Sequence, residues 1–153
     1  MKISELGRYF KPELFLGELK SDKKLEVMEE LVEPLVTHGF VKSKGIILET
    51  LSKRETLGST GIGMGVAIPH CRTLAVSNVH IVVGLSKQGV EFDARDGKPV
   101  HLFFLIVAPP VDQANVYLPI LGKIVELVRN SKLRQAMMKA DSFDSFIKLL
   151  ERG

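Results

Sequence analysis

The chain has one cysteine, Cys71, no tryptophan, two tyrosines and only 7% aromatic residues. A single thiol closes no internal disulfide, and beside four scattered histidines it supplies no Cys/His cluster of the kind that holds structural zinc. No metal is expected. Long apolar runs are also missing: the longest, Leu102 to Pro110, falls far short of the ~20 residues that cross a bilayer. The opening Met1-Lys2-Ile3-Ser4-Glu5 begins no secretory apolar segment, so the expected location is the cytoplasm. Charge of one sign is not concentrated either. Lys and Arg total 21 against 18 Asp and Glu, a net +3 spread over short clusters such as Lys23-Lys24 and Lys53-Arg54. A nucleic-acid binder gathers positive charge on one face and interleaves it with aromatics, so these charges read as solvated surface.

What is present is ordinary globular composition, 45% apolar and 25% charged with 13 Gly and 7 Pro in 153 residues. A chain of this length buries roughly 70% of its unfolded surface as one domain, here expected to span residues 1–153. Glu13 to Gly17 reads as a short strand. Ser21-Asp22 can cap a helix whose apolar positions Leu25, Met28, Leu31, Val32 and Leu35 keep helical spacing, with Gly39 as its stop. Pro34 lies inside that pattern, lacks a donor and crowds the preceding turn, which predicts a kink or an early end. Ser43 is a second cap, opening a helix to about Arg54.

From Leu57 to Pro69 the run LGSTGIGMGVAIP carries four glycines and predicts a flexible loop passing into β-rich Val66-Ala67-Ile68. Further strands are predicted at His80 to Ser86 and Val100 to Ala108, with an Asp96-Gly97 turn before the second. Their continuous apolar character suits a sheet covered on both faces. Gln113 to Arg129 has the spacing of a long amphipathic helix, and Leu133 to Met138 and Phe143 to Leu150 of two shorter ones. The predicted fold is α/β, a single domain with a mixed β-sheet flanked by helices.

Several familiar chemistries fail on spacing. The glycines at 61 and 63 are followed by Val66, so GxGxxG is broken, and no Gly-Lys-Ser/Thr completes a phosphate-binding loop. Ser59 follows Gly58 directly and makes no GxSxG elbow. Cys71 and His70 are neighbours, and in an extended chain neighbouring side chains face opposite ways. What remains is a lone histidine, His70, after a glycine-rich loop, a short strand and a proline. A neutral imidazole near pH 7 is a nucleophile, one nitrogen attacking while the other holds the hydrogen bond that fixes its tautomer. A phosphoryl group suits it, given stabilisation of the equatorial oxygens. Backbone N–H groups of Gly58-Ser59-Thr60-Gly61 and the side chain of Arg54 are the candidates for that task. Spacing alone leaves a plainer account open, and stronger, in which His70 is a turn residue and Arg54 a surface charge.

The balance changes with RETLGSTGIGMGVAIPHCR, Arg54 to Arg72, which strongly resembles the active-site signature of the enzyme IIA domains of the bacterial sugar phosphotransferase system, fructose-mannitol class. The likeness combines Arg54, His70 sixteen positions on, and the intervening Gly-Ser-Thr-Gly and Ala-Ile-Pro-His, and extends loosely from about Lys2 to Leu150. It implies the type-2 enzyme IIA fold. It further implies that His70 accepts a phosphoryl group, through Nε2, from the phosphocarrier HPr or a nitrogen-branch counterpart and passes it to a cysteine of a IIB partner. Arg54 would neutralise the phosphoryl charge, and Ser59, Thr60 and the glycines would shape the pocket, without metal or small cofactor. The chain departs from the pattern at Met64, where relatives often place Asn or Asp, and at Cys71, where they often have Gly. Tyr117, before Leu118, stands where many members carry a second histidine; tyrosine donates a hydrogen bond but does not become cationic. The resemblance covers two roles: a transport component feeding a sugar system, and a nitrogen-branch regulatory protein whose phosphorylation state controls docking onto other proteins. The departures add a third, a degenerate relative that keeps the pocket but has lost transfer.

Overall fold

The computed structural model describes residues 1–152; Gly153, the last residue of the expected domain, lies outside the described residues. In chain order the elements are α1 (Ile3–Leu6), β1 (Phe15–Leu16), α2 (Lys24–Thr37), α3 (Lys44–Thr56), β2 (Gly61–Gly63), β3 (Val66–Ala67), β4 (His70–Arg72), β5 (His80–Val90), β6 (Val100–Ala108), α4 (Tyr117–Arg129), α5 (Ser131–Met138) and α6 (Phe143–Arg152). One six-stranded sheet runs β1-β5-β6-β3-β2, with β4 also on β6. Antiparallel β5 and β6 form its centre, whereas β1 on β5 and both β3 and β4 on β6 are parallel. The sheet is mixed, as predicted.

Side-chain alternation along the two central strands builds two cores. Ile81, Val83, Leu102, Phe104 and Ile106 face one way, onto Ile120, Ile124, Leu127 and Phe146 of the C-terminal helices. Val82, Phe103, Leu105 and Val107 face the other, onto Val27, Met28, Leu31, Ile47 and Leu51 of α2 and α3. Burial of each such side chain contributes about 1.5–3 kcal/mol relative to exposure, which makes β6 the most heavily stabilised element. Gly84 is what lets α2 come close: a Cβ there would stand 2.7 Å from Leu31 Cδ2 and 2.9 Å from Leu19 Cδ1.

The differences from expectation are local. The strand predicted over 13–17 shrinks to Phe15–Leu16, because Pro12 to Leu14 close a 3-10 turn before it. Neither Ser21 nor Asp22 caps α2; Glu30 reaches back instead, its carboxylate accepting the N–H of Lys20 at 2.9 Å and of Ser21 at 2.9 Å. Pro34 does not end the helix, which continues to Thr37 on the packing of buried Leu31, Val32, Pro34 and Leu35. Tertiary burial outweighs the lost donor there. Gly39, at φ +74°, does provide the stop, and the N–H groups of Phe40 and Val41 both close on the Leu35 carbonyl. Ser43 Oγ accepts the Ile46 N–H at 3.3 Å and caps α3 as predicted. β5 is longer than expected, running to Val90, and α4 starts at Tyr117 rather than Gln113. Asp112 explains the late start: its carboxylate accepts the Tyr117 N–H at 2.7 Å, while Asn115 turns at φ +58°.

The predicted flexible loop is the largest difference. Residues 61–67 form a hairpin, β2 against β3, turned by Met64 (φ +61°) and Gly65 (φ +76°). Positive φ at both central residues gives the turn a twist that matches the strands. Pro69 then separates β3 from β4: its carbonyl accepts the Ile106 N–H at 2.9 Å, but it has no N–H to offer the sheet.

Candidate active site

His70 is the first residue of β4, half-buried and opposite Ile106. Its Nδ1 lies 2.7 Å from the Ile68 carbonyl oxygen. A carbonyl only accepts, so Nδ1 carries the proton and Nε2 keeps its lone pair. The next side chain, Cys71, turns to the opposite face and is buried in the core under α2 and α3, where burial pushes its thiol up to about 12. A neutral thiol facing away excludes the Cys-His pairing. Arg72 returns to the face of His70 and is exposed.

Arg54 sits in the last turn of α3 and donates from Nη1 to the Gly58 carbonyl at 3.0 Å. Gly58, at φ +141°, makes the turn out of the helix that a side chain would resist. Three of the four backbone N–H groups of residues 58–61 are bonded internally. The Gly58 N–H goes to the Glu55 carbonyl at 3.1 Å, the Thr60 N–H to both Glu55 carboxylate oxygens at 3.2 Å, and the Gly61 N–H to Ser59 Oγ at 3.0 Å. Ser59 Oγ donates onward to the Phe92 carbonyl at 3.0 Å. Gly61 is required for close approach, since a Cβ would stand 2.9 Å from Ala94 Cα. Three N–H groups that the sequence offered as a phosphate cradle therefore have partners already. Thr60 keeps one free group, a buried Oγ1 without a partner, and its carbonyl accepts the Ile68 N–H at 2.9 Å, which joins this loop to the strand leading to His70.

Glu55 was not singled out by the sequence. Its carboxylate, only 7% exposed, pairs with Lys24 Nζ at 2.9 Å, and Lys24 also lies 4.8 Å from the centre of the Phe92 ring. The ion pair lets a buried carboxylate stay charged and anchor the loop. Its only sequence signal was an acidic residue next to Arg54.

Tyr117 opens α4 and is buried; the Arg72 guanidinium lies 4.3 Å from the centre of its ring. Burial raises the Tyr117 hydroxyl above its ordinary pKa, opposed by the nearby charges of Arg72 and Arg54, so it stays neutral. Tyr117 thus holds Arg72 beside β4. The four most exposed large hydrophobic side chains among the described residues follow these elements in the chain: Leu57 three residues after Arg54, Leu74 two after Arg72, Leu118 next to Tyr117, and Val111 beyond the end of β6. A groove of about 520 Å³ between Ser77–Val79 and Val111–Val116 includes none of His70, Arg54 or the 58–61 loop. Among the described residues no three His, Cys, Asp or Glu side chains gather as metal ligands, and no helix is long and apolar enough to cross a membrane.

The chain is similar to phosphotransferase-system EIIA components and to nitrogen regulatory proteins. The chain is 34% identical over 152 residues to the PTS system fructose-specific EIIABC component of Bacillus subtilis, covering 99% of this chain but only 23% of that protein. The fructose-specific EIIA component of Haloferax volcanii is 30% identical over 142 residues, covering 93% of this chain and 92% of its own length. The crystal structure of the nitrogen regulatory protein IIA-Ntr from Neisseria meningitidis superposes with a TM-score of 0.87 at 29% identity, covering 95% of this chain and 99% of that one. The Escherichia coli complex of enzyme IIA-mannitol with phosphorylated enzyme IIB-mannitol shares the fold, with a TM-score of 0.77 at 20% identity and coverage of 94% and 98%. The family model described as "Phosphoenolpyruvate-dependent sugar phosphotransferase system, EIIA 2" matches residues 8–153, and the chain belongs to that family.

Proposed function

We propose that the protein is a phosphocarrier in which His70 Nε2 accepts a phosphoryl group from an HPr-type protein and delivers it to a IIB partner for sugar uptake. The observation that carries this reading is the 2.7 Å contact between Nδ1 and the Ile68 carbonyl, which leaves Nε2 as the nucleophile. The Nε2 lone pair forms the new N–P bond as the donor's bond to phosphorus breaks, and that bond's electron pair returns to the donor. Nδ1 keeps its proton on Ile68 throughout. Delivery is the reverse displacement, with the partner's thiolate as nucleophile. Arg54 offsets charge on the transferring group, as cations do in phosphoryl transfer generally. The exposed Leu57, Leu74, Val111 and Leu118 suit a docking rim that excludes water while the two reacting groups meet. In this reading the protein works in the cytoplasm, where such carriers act, and uses no cofactor.

A second reading, supported by the likeness to the nitrogen regulatory structure, is that phosphorylation of His70 controls docking onto regulatory targets rather than feeding a transporter. Incubation with enzyme I, HPr and labelled phosphoenolpyruvate, followed by a chase with a IIB domain, separates the readings. Label that enters His70 and leaves to IIB supports transport. Label that enters and stays supports regulation, and no label from either the general or the nitrogen-branch carrier overturns both.

A further inference from the structure

A phosphoryl group on His70 brings close to two negative charges and three acceptor oxygens to a half-buried edge of the sheet. The N–H groups of Gly58, Thr60 and Gly61 already have partners, and the nearby Glu55 carboxylate is itself negative, offset by Lys24. Arg54 has one guanidinium nitrogen on the Gly58 carbonyl. What these residues have left is the Ser59 N–H, the Thr60 hydroxyl and the other donors of Arg54, a single cation against nearly two negative charges.

Arg72 has the missing capacity. It lies two residues beyond His70 in β4, so both side chains stand on one face with Cα atoms about 7 Å apart, well within the span of an arginine side chain. It is exposed, and it forms no ion pair with a carboxylate among the described residues. Its guanidinium rests 4.3 Å from the centre of the Tyr117 ring, and that ring is itself fixed by burial. Stacking orients the guanidinium plane, and with one N–H directed at the Tyr117 hydroxyl the remaining donors of the fork are left to reach phosphoryl oxygens. The charges of Arg72 and Arg54 both oppose the upward shift of the Tyr117 hydroxyl.

Resting on the phosphocarrier reading, we propose that Arg72, held on the Tyr117 ring, is a second cation of the phosphoryl site and acts with Arg54 on the group carried by His70. In the free protein the guanidinium is parked on the ring. In the phosphorylated protein it donates to the phosphoryl oxygens and keeps the group fully ionised. A cation at this distance favours the dianion, so it lowers the pH at which the phosphoryl group takes up a proton.

The test uses the full chain with Arg72→Gln, Arg72→Lys and, as a remote charge control, Arg129→Gln. Two readouts are taken: the phosphorus-31 NMR titration of the phosphohistidine, and the single-turnover rate of acceptance from phosphorylated HPr at saturating donor. Arg72→Gln is expected to move the titration midpoint upward and to slow the saturated rate about tenfold. Arg72→Lys should recover part of both effects, and Arg129→Gln should alter neither. If the parent protein is labelled on His70 but Arg72→Gln leaves both readouts unchanged, the role of Arg72 is overturned and the carrier reading stands. A variant that only weakens donor binding, with titration and saturated rate intact, also overturns it and makes Arg72 a docking residue. Absence of label on His70 in the parent protein overturns the carrier reading and this proposal together.

Discussion

His70 and His101 make the same local bond at opposite ends of the sheet. Each is half-buried, and each holds Nδ1 2.7 Å from a backbone carbonyl, of Ile68 in one case and Ser86 in the other. Their surroundings differ. The ring of His101 fills space left by Gly89, where a Cβ would stand 3.0 Å from Cε1 and 3.3 Å from Nε2, and it lines a hollow with Met64, Lys98 and Arg134. Arg134 in that hollow is engaged, donating to the Val128 carbonyl at 2.7 Å. His70 instead shares one face of β4 with exposed Arg72, whose guanidinium rests on the Tyr117 ring. A fixed tautomer is therefore shared by both histidines and does not by itself mark a phosphoryl acceptor; in the proposed reading the difference lies in Arg72, exposed on the face of His70.

The sharpest way to break the comparison is to remove each ring in turn. His70→Ala is expected to reduce phosphoryl acceptance to background with an unchanged circular dichroism spectrum, whereas His101→Gln retains acceptance within about twofold. Equal losses in the two variants would show that the distinction between the two ends is wrong. Arg54→Ala should slow acceptance by about 100-fold through lost charge stabilisation, measured as an initial transfer rate. A loss of only about twofold would remove Arg54 from that role. Glu55→Gln breaks the buried pair with Lys24 and loosens the 58–61 loop. It should cost about 2 kcal/mol, seen as a melting temperature lower by about 5 °C, with a smaller effect on transfer.

The smallest effect concerns pH at the histidine that opens β5. His80 has its pKa lowered, by burial first and by the charge of Lys11 second, and its ring lies 5.0 Å from that of Phe40. A base whose folded pKa is depressed is stabilised in its neutral form, so its contribution is complete above the unfolded value of about 6.5 and is lost as pH falls below it. Denaturant midpoints should decline shallowly as pH falls below about 6.5, and His80→Phe should flatten that decline. An unchanged slope in the variant would assign the decline to other groups.

Much of this was legible in the sequence, for identifiable reasons. β6 was predicted at Val100 to Ala108 and runs over those residues because a continuous β-branched and aromatic stretch has few alternatives. The Ser43 cap and the Gly39 stop follow local chemistry and were equally readable. The hairpin at 61–67 was hidden because glycine density signals a loop, and Met64 is an unusual occupant of a left-handed turn position. Pro34 misled because burial of α2 outweighs a rule written for isolated helices. At the site, His70 and Arg54 stood out through the signature. Glu55 did not, since its role depends on Lys24, which is distant in the chain and reaches it only through the packing of α2 on α3. Arg72 had one overlooked signal, its two-residue spacing from His70 on a strand.

The most direct test of the central claim is a long-range proton–nitrogen NMR spectrum of the imidazoles before and after phosphorylation by phosphorylated HPr. The account predicts that His70 starts with its proton on Nδ1 and gains phosphorus on Nε2, while His101 does not change. Phosphorus on Nδ1 of His70, or on any other residue, would contradict it.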